Sequence, residues 1–437
     1  MIRHPLERFR AQSRKRQVLI AILAVVLTLA CVLVAVNLNT GEKRIEHRLA
    51  RRDAIDSPQF ALELGVLLGP PLLDGNRITA LHDGDQIFPP MLTAIRGAKQ
   101  TINFESYIYW SGDIGKQFAD ALAERARAGV QVHVLLDWMG SSKMDASLID
   151  ELKRSGVQVY RFHRPTWHDL GRLNNRTHRK LLIVDGTTGF TGGVGIAPSW
   201  TGHSQDPDHW RDSHFQVQGP VVGQMQAVFL DNWIKVSGEV LHGATYFPLI
   251  APAGDVRAQM FSSSPTGGNE SMELMYLMAI TAASTSIDVS AAYFVPDALT
   301  RLALLAAMKR GVRLRIIVPG KHIDSETVRL ASKAGWGDLL AAGALIAEFE
   351  PTMFHCKVMI IDGLMVSVGS TNFDNRSMRL NDEATLNIMD VGFAAAQEQR
   401  FEADLARSVP TSLAQWRDRP WQERLGEALA GVFSSQL

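Results

Sequence analysis

Cysteine is almost absent from this chain. Its 437 residues include two, Cys31 and Cys356, so a disulfide-stapled framework is excluded. Cys31 lies in a long apolar run, and Cys356 stands between a histidine and a lysine, where a small buried side chain is more typical than a nucleophile. Cysteine usage therefore fits either side of a bacterial-type membrane.

The chain also has no excess of charge of either sign. Lys and Arg together number 45, and so do Asp and Glu. A neutral chain has no overall field that would attract it to nucleic acid, which argues against nucleic acid as a partner. A nuclease would need a local basic groove instead. The 13 histidines show no metal-ligand spacing and no Gly-rich loop opens a nucleotide site, so we expect neither a metal nor another cofactor.

The one long apolar run lies near the start of the sequence. Residues 18–38 carry no charge and are numerous enough to cross a bilayer as a helix. The run is too long for a typical signal-peptide core and no small-x-small site closes it, so an uncleaved anchor is favoured over a cleaved leader or a buried core helix. Similar numbers of Lys and Arg flank both ends, so the sequence does not predict an orientation.

Two halves of the remaining chain repeat one pattern. Residues 101–109 and 286–294 are predicted strands, and each is followed by a helical stripe that ends at a glycine. The first stripe is Ile114, Phe118, Ala121 and Leu122, ending at Gly129; the second is Leu299, Leu302, Leu305 and Ala306, ending at Gly311. Further strands are predicted at 130–136 and 312–318. Strand–helix–strand units predict a sheet covered by helices, and the halves are expected to join near residues 238–254.

A second repeat concerns chemistry. His-x-Lys followed five residues later by Asp occurs as His178, Lys180 and Asp185, and again as His355, Lys357 and Asp362. Residues i and i+2 of a strand share a face, so each His and its Lys are expected to point the same way. Asp185 and Asp362 each end an apolar strand before a glycine, where Asp commonly holds a turn. We therefore favour a structural role for both, although they belong to the candidate catalytic triples.

Two such strands brought together would surround one anion with two imidazoles and two ammonium groups. One neutral His can attack phosphorus while the other, protonated, donates to the leaving oxygen. The lysines would neutralise the charge that builds on the phosphate. Asp212 and Glu383 each follow the His of their own half by about 30 residues, and we expect each to return on the adjacent strand and orient that His. Arg179 is predicted to face away from the site, exposed or supporting it.

These residues resemble the phospholipase D superfamily, whose hallmark is a duplicated His-x-Lys-x4-Asp-x6-Gly-Ser-x-Asn motif. The second copy matches in full, with Gly369, Ser370 and Asn372 completing it. Within the superfamily the chain is similar to bacterial cardiolipin synthases, in stretches that begin at Asn175, Phe190, Ala292 and Asn372. The resemblance covers roughly residues 75–430 and implies that Ser370 and Asn372 help to hold the phosphate and support the site.

The first copy departs from the motif. It keeps Gly192 but has Gly193 in place of Ser and Gly195 in place of Asn. Gly195 cannot make a side-chain contact with the phosphate, so the two halves are not expected to contribute equally. This departure keeps a hydrolytic or catalytically weakened lipid-binding relative open as an alternative.

The resemblance implies an α/β fold of two pseudo-twofold-related phospholipase D-type domains, each a mixed β-sheet flanked by helices, plus one N-terminal transmembrane helix. The predicted organisation is a basic segment over 1–17, an anchor over 18–38, a juxtamembrane linker over 39–70 with a charged helix within 40–58, and domains over 71–245 and 246–437.

The implied activity is phosphatidyl transfer that makes cardiolipin from phosphatidylglycerol through a phosphatidyl-histidine. His178 is expected as nucleophile and His355 as acid and base. Phospholipids, with phosphatidylglycerol as donor and a second lipid as acceptor, are the implied partners. The implied location is the bacterial inner membrane, with a single span. The alternative activity is a phospholipase D-type hydrolase that releases phosphatidic acid.

Overall fold

The computed structural model describes residues 5–38, 45–50, 53–162, 175–265 and 270–432. The chain divides into two compact units, and the first contains α1 (Pro5–Leu38). Within α1 the stretch Lys15–Leu33 has a mean hydropathy of 2.4, and none of it is buried against protein. This helix is long and apolar enough to cross a membrane. The predicted apolar helix is therefore present, and it begins earlier than predicted, inside the basic segment.

The second unit holds the other helices and the strands of the described chain. Its helices are α2 (Pro58–Leu68), α3 (Asp83–Gly97), α4 (Asp113–Arg127), α5 (Ala146–Arg154), α6 (Val221–Ser237), α7 (Glu270–Ala282), α8 (Ala298–Lys309), α9 (Glu326–Ala334), α10 (Trp336–Ala341), α11 (Asn375–Arg379), α12 (Val391–Leu405), α13 (Leu413–Arg417) and α14 (Trp421–Val432), with a short 3₁₀ helix at Pro198–Trp200.

The strands of the first half are β1 (Leu73–His82), β2 (Thr101–Ser106), β3 (Gln131–Asp137), β4 (Gln158–Phe162), β5 (Arg176–Thr177), β6 (Leu181–Val184), β7 (Thr188–Gly192) and β8 (Ser213–Gln218). Those of the second half are β9 (Val256–Ser263), β10 (Ser286–Ala291), β11 (Phe294–Val295), β12 (Arg313–Pro319), β13 (Leu345–Phe349), β14 (Lys357–Ile361), β15 (Met365–Gly369), β16 (Phe373–Asp374), β17 (Asn381–Met389) and β18 (Ser408–Pro410).

A single 16-stranded sheet runs through the whole unit in the order β18-β13-β12-β10-β14-β15-β17-β9-β1-β8-β7-β6-β2-β3-β4, and β5 pairs beside β17. The centre is the antiparallel pair β1 and β9, where Leu73 faces Ala258. Outward from it, β8-β7-β6-β2-β3-β4 on one side corresponds to β17-β15-β14-β10-β12-β13 on the other. β2, β3 and β4 are parallel to one another, and so are β10, β12 and β13, while β18 pairs antiparallel with β13 at the edge. The predicted pair of pseudo-twofold-related α/β domains is confirmed, and their two sheets are fused into one.

The predicted elements of each half are present. β2, α4 and β3 in the first half, and β10, α8 and β12 in the second, lie where the sequence predicts strand, helix and strand. On α4 the predicted stripe is buried. On α8 the fully buried side chains include Ala303, Leu304 and Ala307, whereas Leu299 and Leu302 are only half-buried. The α8 prediction was therefore wrong by about one residue, because a mainly apolar helix leaves the position of its stripe undetermined.

The charged linker differs from its prediction. Residues 45–50 and 53–57 have no helix, and helical structure begins at Pro58. Ser57 caps that helix by accepting a hydrogen bond from the backbone N–H of Phe60. The predicted charged helix is thus replaced by an apolar one further along, and residues 39–44 and 51–52 lie outside the described residues.

The halves share one apolar core beneath the centre of the sheet. Phe215 on β8 and Phe229 on α6 belong to the same buried cluster as Leu386 on β17 and Phe393 on α12. The rings of Phe215 and Phe393 are 6.1 Å apart. The predicted boundary at 245/246 falls in the irregular stretch between α6 and β9 and stays a prediction. This shared core holds the two halves in a fixed relation, which the site requires.

Candidate active site

The two His-x-Lys segments lie at the starts of equivalent strands. His178 and Lys180 directly precede β6, while His355 precedes β14 and Lys357 is its first residue. Both histidines were predicted inside strands, and they lie just outside them. Each lysine folds back on its histidine: the Nζ atom of Lys180 donates to the carbonyl of His178 at 2.7 Å, and that of Lys357 to the carbonyl of His355 at 2.9 Å.

One cavity of about 520 Å³ brings the two segments together. Its wall includes His178, Lys180, His355 and Asn372. Both histidines are largely buried, with 8% and 6% of their surface exposed. The other lining residues are Tyr107, Ile108, Trp110, Lys143, Arg176, Trp200, Trp210, Tyr293, Asp324, Val328, Asp374, Arg376 and Asn381. The tryptophan and tyrosine side chains of this wall were not predicted from the sequence to line the site.

Each His segment is bonded through its backbone to the other half. β5 pairs in parallel with β17, and the N–H of His178 donates to the carbonyl of Asp382 at 2.9 Å. In the same way the N–H of His355 donates to the carbonyl of Arg211 at 2.8 Å. The residue after each of these acceptor carbonyls is Glu383 or Asp212. The backbone therefore places each His beside the acid of the opposite half.

The side chains make the same contacts between the two halves as the backbone does. Nδ1 of His178 lies 3.0 Å from Oε1 of Glu383, and Nδ1 of His355 lies 2.7 Å from Oδ2 of Asp212. The prediction that each acid contacts the His of its own half was wrong, because each of the two named acids contacts the His of the opposite half. Because a carboxylate accepts at Nδ1, each ring carries its proton there and leaves Nε2 as the reactive nitrogen.

Glu383 is fixed by the second motif. The hydroxyl of Ser370 donates to Oε2 of Glu383, and the side-chain amide of Asn381 donates to Oε1 at 3.2 Å. Ser370 is fully buried and is not among the residues of the cavity wall, so its side chain supports the acid, and its predicted part in holding the phosphate stays a prediction. Asn372 does line the cavity. The sequence thus named both residues, and the structure separates their positions.

Asp212 has a different support, which the sequence analysis missed. The indole N–H of Trp200 donates to Oδ2 of Asp212 at 2.9 Å, so it supplies what the Ser370 hydroxyl supplies to Glu383. The same ring lies 5.2 Å from the ring of His355 in an edge-to-face arrangement. Trp200 is therefore a positioning residue for the second histidine.

The two glycines of the first motif make room for this arrangement. A Cβ atom at Gly193 would lie 2.2 Å from Oδ1 of Asp212, and one at Gly195 would lie 2.7 Å from Cβ of Ile108 and 3.2 Å from the Trp200 ring. The distances of 2.2 and 2.7 Å are far below a normal contact, and that of 3.2 Å is a tight one. A side chain at Gly193 would therefore require Asp212 to shift, and one at Gly195 would require Ile108 or Trp200 to shift.

Asp185 and Asp362 lie at the far ends of their strands. Each is five residues beyond its lysine, or roughly 16 Å along an extended chain. The carboxylate of Asp185 accepts from the backbone N–H groups of residues 99, 100 and 101, and that of Asp362 from residues 284, 285 and 286. Both residues have a positive φ, of 51° and 52°. They are corrected from the catalytic set to turn-holding residues, as the structural interpretation favoured.

The residues that follow the histidines are buried. Arg179 is fully buried, not exposed, and donates to Glu383 and Val228 carbonyls and to the Asp231 carboxylate. It thereby ties the first motif to β17. Cys356 is buried as predicted, and burial raises the pKa of its thiol, which keeps it protonated.

Burial also sets the charge of the site. It lowers the pKa of His178 to about 4, against the opposing effect of Glu383, and it lowers that of His355. Burial, together with the charge of Lys357, lowers the pKa of Lys180 to about 7. Burial and neighbouring positive charge thus disfavour the protonated forms of His178, His355 and Lys180. A bound anion would favour those forms.

Metal ligation is not a feature of the described chain. Within its residues no group of three or more His, Cys, Asp or Glu side chains is placed to hold a metal ion. The expectation of metal-free chemistry stays a prediction.

The sequence of this chain is similar to those of known proteins. The family model described as cardiolipin synthase, PLD-like domain matches residues 91–233 and 276–405. Cardiolipin synthase A of Pseudomonas fluorescens is 33% identical over 368 residues, which are 84% of this chain and 76% of that protein. The major cardiolipin synthase ClsA of Bacillus subtilis is 34% identical over 369 residues, 83% of this chain and 76% of that one.

Solved structures share the fold at low sequence identity. A phosphatidylserine synthase of Haemophilus influenzae superposes with a TM-score of 0.67 at 13% identity, covering 88% of this chain and 100% of that one. A polyphosphate kinase of Porphyromonas gingivalis gives 0.52 at 11% identity, covering 89% of this chain and 57% of that one. At these identities the likeness concerns the fold alone.

Proposed function

This chain belongs to the cardiolipin synthase, PLD-like domain family, and from that membership and the site we propose that it is a phosphatidyltransferase that makes cardiolipin from phosphatidylglycerol. The observation that carries the proposal is the pair of buried histidines facing one cavity, each with a carboxylate at Nδ1 and a lysine beside it. This arrangement suits displacement at a phosphodiester.

In the first step, Nε2 of His178 attacks the phosphorus of phosphatidylglycerol. A P–N bond forms as the P–O bond to the headgroup glycerol breaks, and protonated His355 gives its proton to the departing oxygen. The low pKa of His178 keeps its lone pair available. The entering phosphate raises the pKa of His355 because an anion favours the protonated ring. Lys180 and Lys357 offset the charge on the phosphate oxygens.

In the second step, a hydroxyl of a second phosphatidylglycerol takes the place of the glycerol. His355, now neutral, accepts the hydroxyl proton as the oxygen attacks phosphorus and the P–N bond breaks. The products are cardiolipin and glycerol, and both histidines return to their starting states. Glu383 and Asp212 keep the two rings in the tautomer that each step requires.

The contacts around the first motif support a catalytically active first half. Although Gly193 and Gly195 depart from the family pattern, His178, Lys180 and Glu383 remain assembled, and Trp200 replaces the missing serine as a donor to Asp212. A lipid-binding protein without catalysis would not require two histidines held in matching tautomers.

The protein is membrane-anchored through α1, and we place it in the bacterial inner membrane with a single span. The apolar stretch Lys15–Leu33 and the phospholipid substrate support this location, because donor, acceptor and product all remain in a bilayer.

Purified full-length protein is incubated with phosphatidylglycerol vesicles and the lipids are analysed by mass spectrometry. We expect cardiolipin and an equal amount of glycerol, both lost in His178→Ala and in His355→Ala. Phosphatidic acid as the main product would make the protein a hydrolase. Unchanged cardiolipin formation in either variant would overturn the proposed mechanism.

A further inference from the structure

One helix of the second unit presents large apolar side chains to its outside. On α14 the side chains of Trp421, Leu425 and Leu429 are 63%, 52% and 60% exposed. They are spaced four residues apart, so they lie on one face of the helix, and we call them the α14 stripe. Ala428, three residues after Leu425, is also exposed. Single exposed apolar residues are ordinary on a protein surface, whereas a contiguous apolar patch marks a surface that contacts another molecule or a membrane.

The opposite face of α14 packs against the protein. A Cβ atom at Gly426 would lie 3.3 Å from Cδ1 of Leu330 on α9, and Ala430 belongs to one buried apolar cluster with Val295 and Val328. The small residues of α14 thus face the protein while the large apolar ones face away from it, which is the reverse of an ordinary surface helix. Packing explains the buried face and leaves the α14 stripe unexplained.

The charged side chains of α14 are arranged to suit an anionic surface. Its two acids bond to cations of the protein: Glu427 accepts from Arg419 at 2.6 Å, and Glu423 accepts from Lys333 at 3.0 Å. Arg424, three residues after Trp421, is exposed. An apolar helix face with a basic residue beside it is typical of a helix that lies on anionic lipids.

The α14 stripe is only one helix away from the wall of the catalytic cavity. Val328, which shares the buried cluster with Ala430 of α14, is also part of that wall. Tyr293 packs against the same cluster and lines the cavity as well. An α-helix with its side chains is about 10 Å across, so only the width of α14 separates the stripe from this cluster. A bilayer that touched the α14 stripe would therefore present its headgroups close to the cavity.

We propose that the α14 stripe lies in the interfacial region of the lipid bilayer and holds this side of the cavity near the headgroups. Tryptophan is enriched at the boundary between headgroups and acyl chains, because its ring is apolar and its N–H is polar. The leucines extend the apolar face along the helix. The anchor α1 holds the chain at a membrane, and a second contact determines which surface of the catalytic unit faces the lipids.

This contact goes beyond the proposed function, and its role in substrate delivery rests on the phosphatidyl transfer proposed above. Removing acyl chains from a bilayer into water is unfavourable. A phosphatidylglycerol that reacts in the cavity therefore keeps its chains in the bilayer while its phosphodiester enters. A cavity held within a helix width of the headgroups by the α14 stripe meets this requirement.

Fluorescence quenching tests the contact with lipid directly. A bimane fluorophore is attached at Leu425→Cys in full-length protein that also carries Cys31→Ser, since the remaining Cys356 is buried. The protein is reconstituted in vesicles of phosphatidylcholine and phosphatidylglycerol, with and without brominated acyl chains that quench on contact. Leu249→Cys is the control: Leu249 is fully exposed, and the residue before it lies against Gly186 at the far end of β6 from the cavity.

We expect brominated lipid to reduce the emission from position 425 by about half or more and that from position 249 hardly at all, because an interfacial helix buries its apolar face about 5–10 Å deep. Absence of quenching at 425 would overturn the proposal. Equal quenching at both positions would overturn it too, because the contact would then not be specific to the α14 stripe. A blue-shifted emission without quenching would also overturn it, since protein, such as a second copy of this chain, would then cover the stripe.

Activity measurements test whether the contact serves the reaction. Wild type and the triple variant Trp421→Gln, Leu425→Gln, Leu429→Gln are compared on phosphatidylglycerol vesicles and on dihexanoyl phosphatidylglycerol dissolved below its micelle concentration. We expect the triple variant to lose about 10-fold or more with vesicles and to stay within about 2-fold of wild type with the dissolved lipid, because the stripe contacts the bilayer and not the reacting atoms. Leu249→Gln should retain both activities, and melting temperatures check folding.

The activity results also separate this proposal from the proposed function. Equal loss with both lipids would assign the stripe to the fold, and unchanged activity with vesicles would overturn its role in delivery. If the wild type made no product from either lipid, the proposed function would fail, and the quenching result would still decide whether the α14 stripe contacts the bilayer.

Discussion

His178 takes its carboxylate partner from the other half of the chain: Glu383, whose Oε1 lies 3.0 Å from Nδ1 of His178, is 205 residues further along. His355 and Asp212 repeat the exchange across 143 residues. Since the strands that carry the acids also bond to the His segments, the exchange is built into the backbone. Each reactive ring depends on both halves.

The pairing of each histidine with the acid of the opposite half predicts which acid variant and which histidine variant should have similar kcat values. Asp212→Asn should behave like His355→Ala, and Glu383→Gln like His178→Ala, each lowering kcat by about 10²- to 10⁴-fold. A phosphatidyl donor with a p-nitrophenol leaving group separates the two groups, because that leaving group needs little protonation. In the first turnover, release of p-nitrophenol should be rescued in the variants on the acid side and not in those on the nucleophile side, whereas transfer to the second lipid still needs His355 as base. If Asp212→Asn instead followed His178→Ala, the proposed pairing would be wrong.

Trp200→Phe removes the indole N–H that donates to Asp212 and keeps an aromatic ring. We expect kcat to fall about 10- to 100-fold, because a buried ionised acceptor loses one partner. The loss should be greater for phosphatidylglycerol than for the p-nitrophenyl donor. Trp336→Phe removes a buried indole hydrogen bond to Ser332 far along the chain and serves as the control. An equal fall in both variants would indicate a general packing effect.

Gly193→Ser restores the family motif, yet we expect it to reduce both activity and melting temperature. Its Cβ would lie 2.2 Å from Oδ1 of Asp212, so the acid would have to move from His355. Gly223→Ser on α6, where nothing lies within 4 Å, is the matched control. Wild-type activity in Gly193→Ser would show that the glycine is mere variation.

Asp185→Ala should destabilise the protein without impairing catalysis. It removes an acceptor of three backbone hydrogen bonds at a residue with a φ of 51°, at an expected loss of about 2 kcal/mol in the free energy of unfolding. Asp185→Asn tolerates this backbone conformation and should lose less. The kcat of folded protein should remain within about 2-fold of wild type, measured below the melting transition. A kcat lower by orders of magnitude would return Asp185 to the catalytic set.

Lys180→Met should raise stability while abolishing activity, since Lys180 is costly to bury. Its pKa falls from 10.5 unfolded to about 7 folded, so the folded state binds fewer protons between these values and wild-type stability rises with pH there. The advantage of Lys180→Met is therefore full below about pH 7 and shrinks toward pH 10.5. Melting temperatures of both proteins across this range test the sign. An advantage that grew with pH would contradict the assigned shift.

Local pattern was enough to locate both motifs, the strands and helices around them, and all four residues that pair across the site. Local pattern did not predict which acid pairs with which histidine, because the tertiary structure determines that pairing. About 30 residues separate each acid from the His of its own half, and nothing in that spacing distinguishes a return within a half from an exchange between halves. Trp200 was missed although a signal existed: two glycines in place of larger motif residues leave space that a bulky side chain elsewhere must fill.

A chain that has been synthesised only through its first half contains His178 without Glu383 and Asp212 without His355. Such a nascent chain cannot form the reactive pairs, so the enzyme becomes active only when its last strands are in place. The same dependence makes the protein suitable for fragment complementation: two inactive pieces divided within residues 238–255 would regain transfer activity only on reassociation, and product formation would report that event.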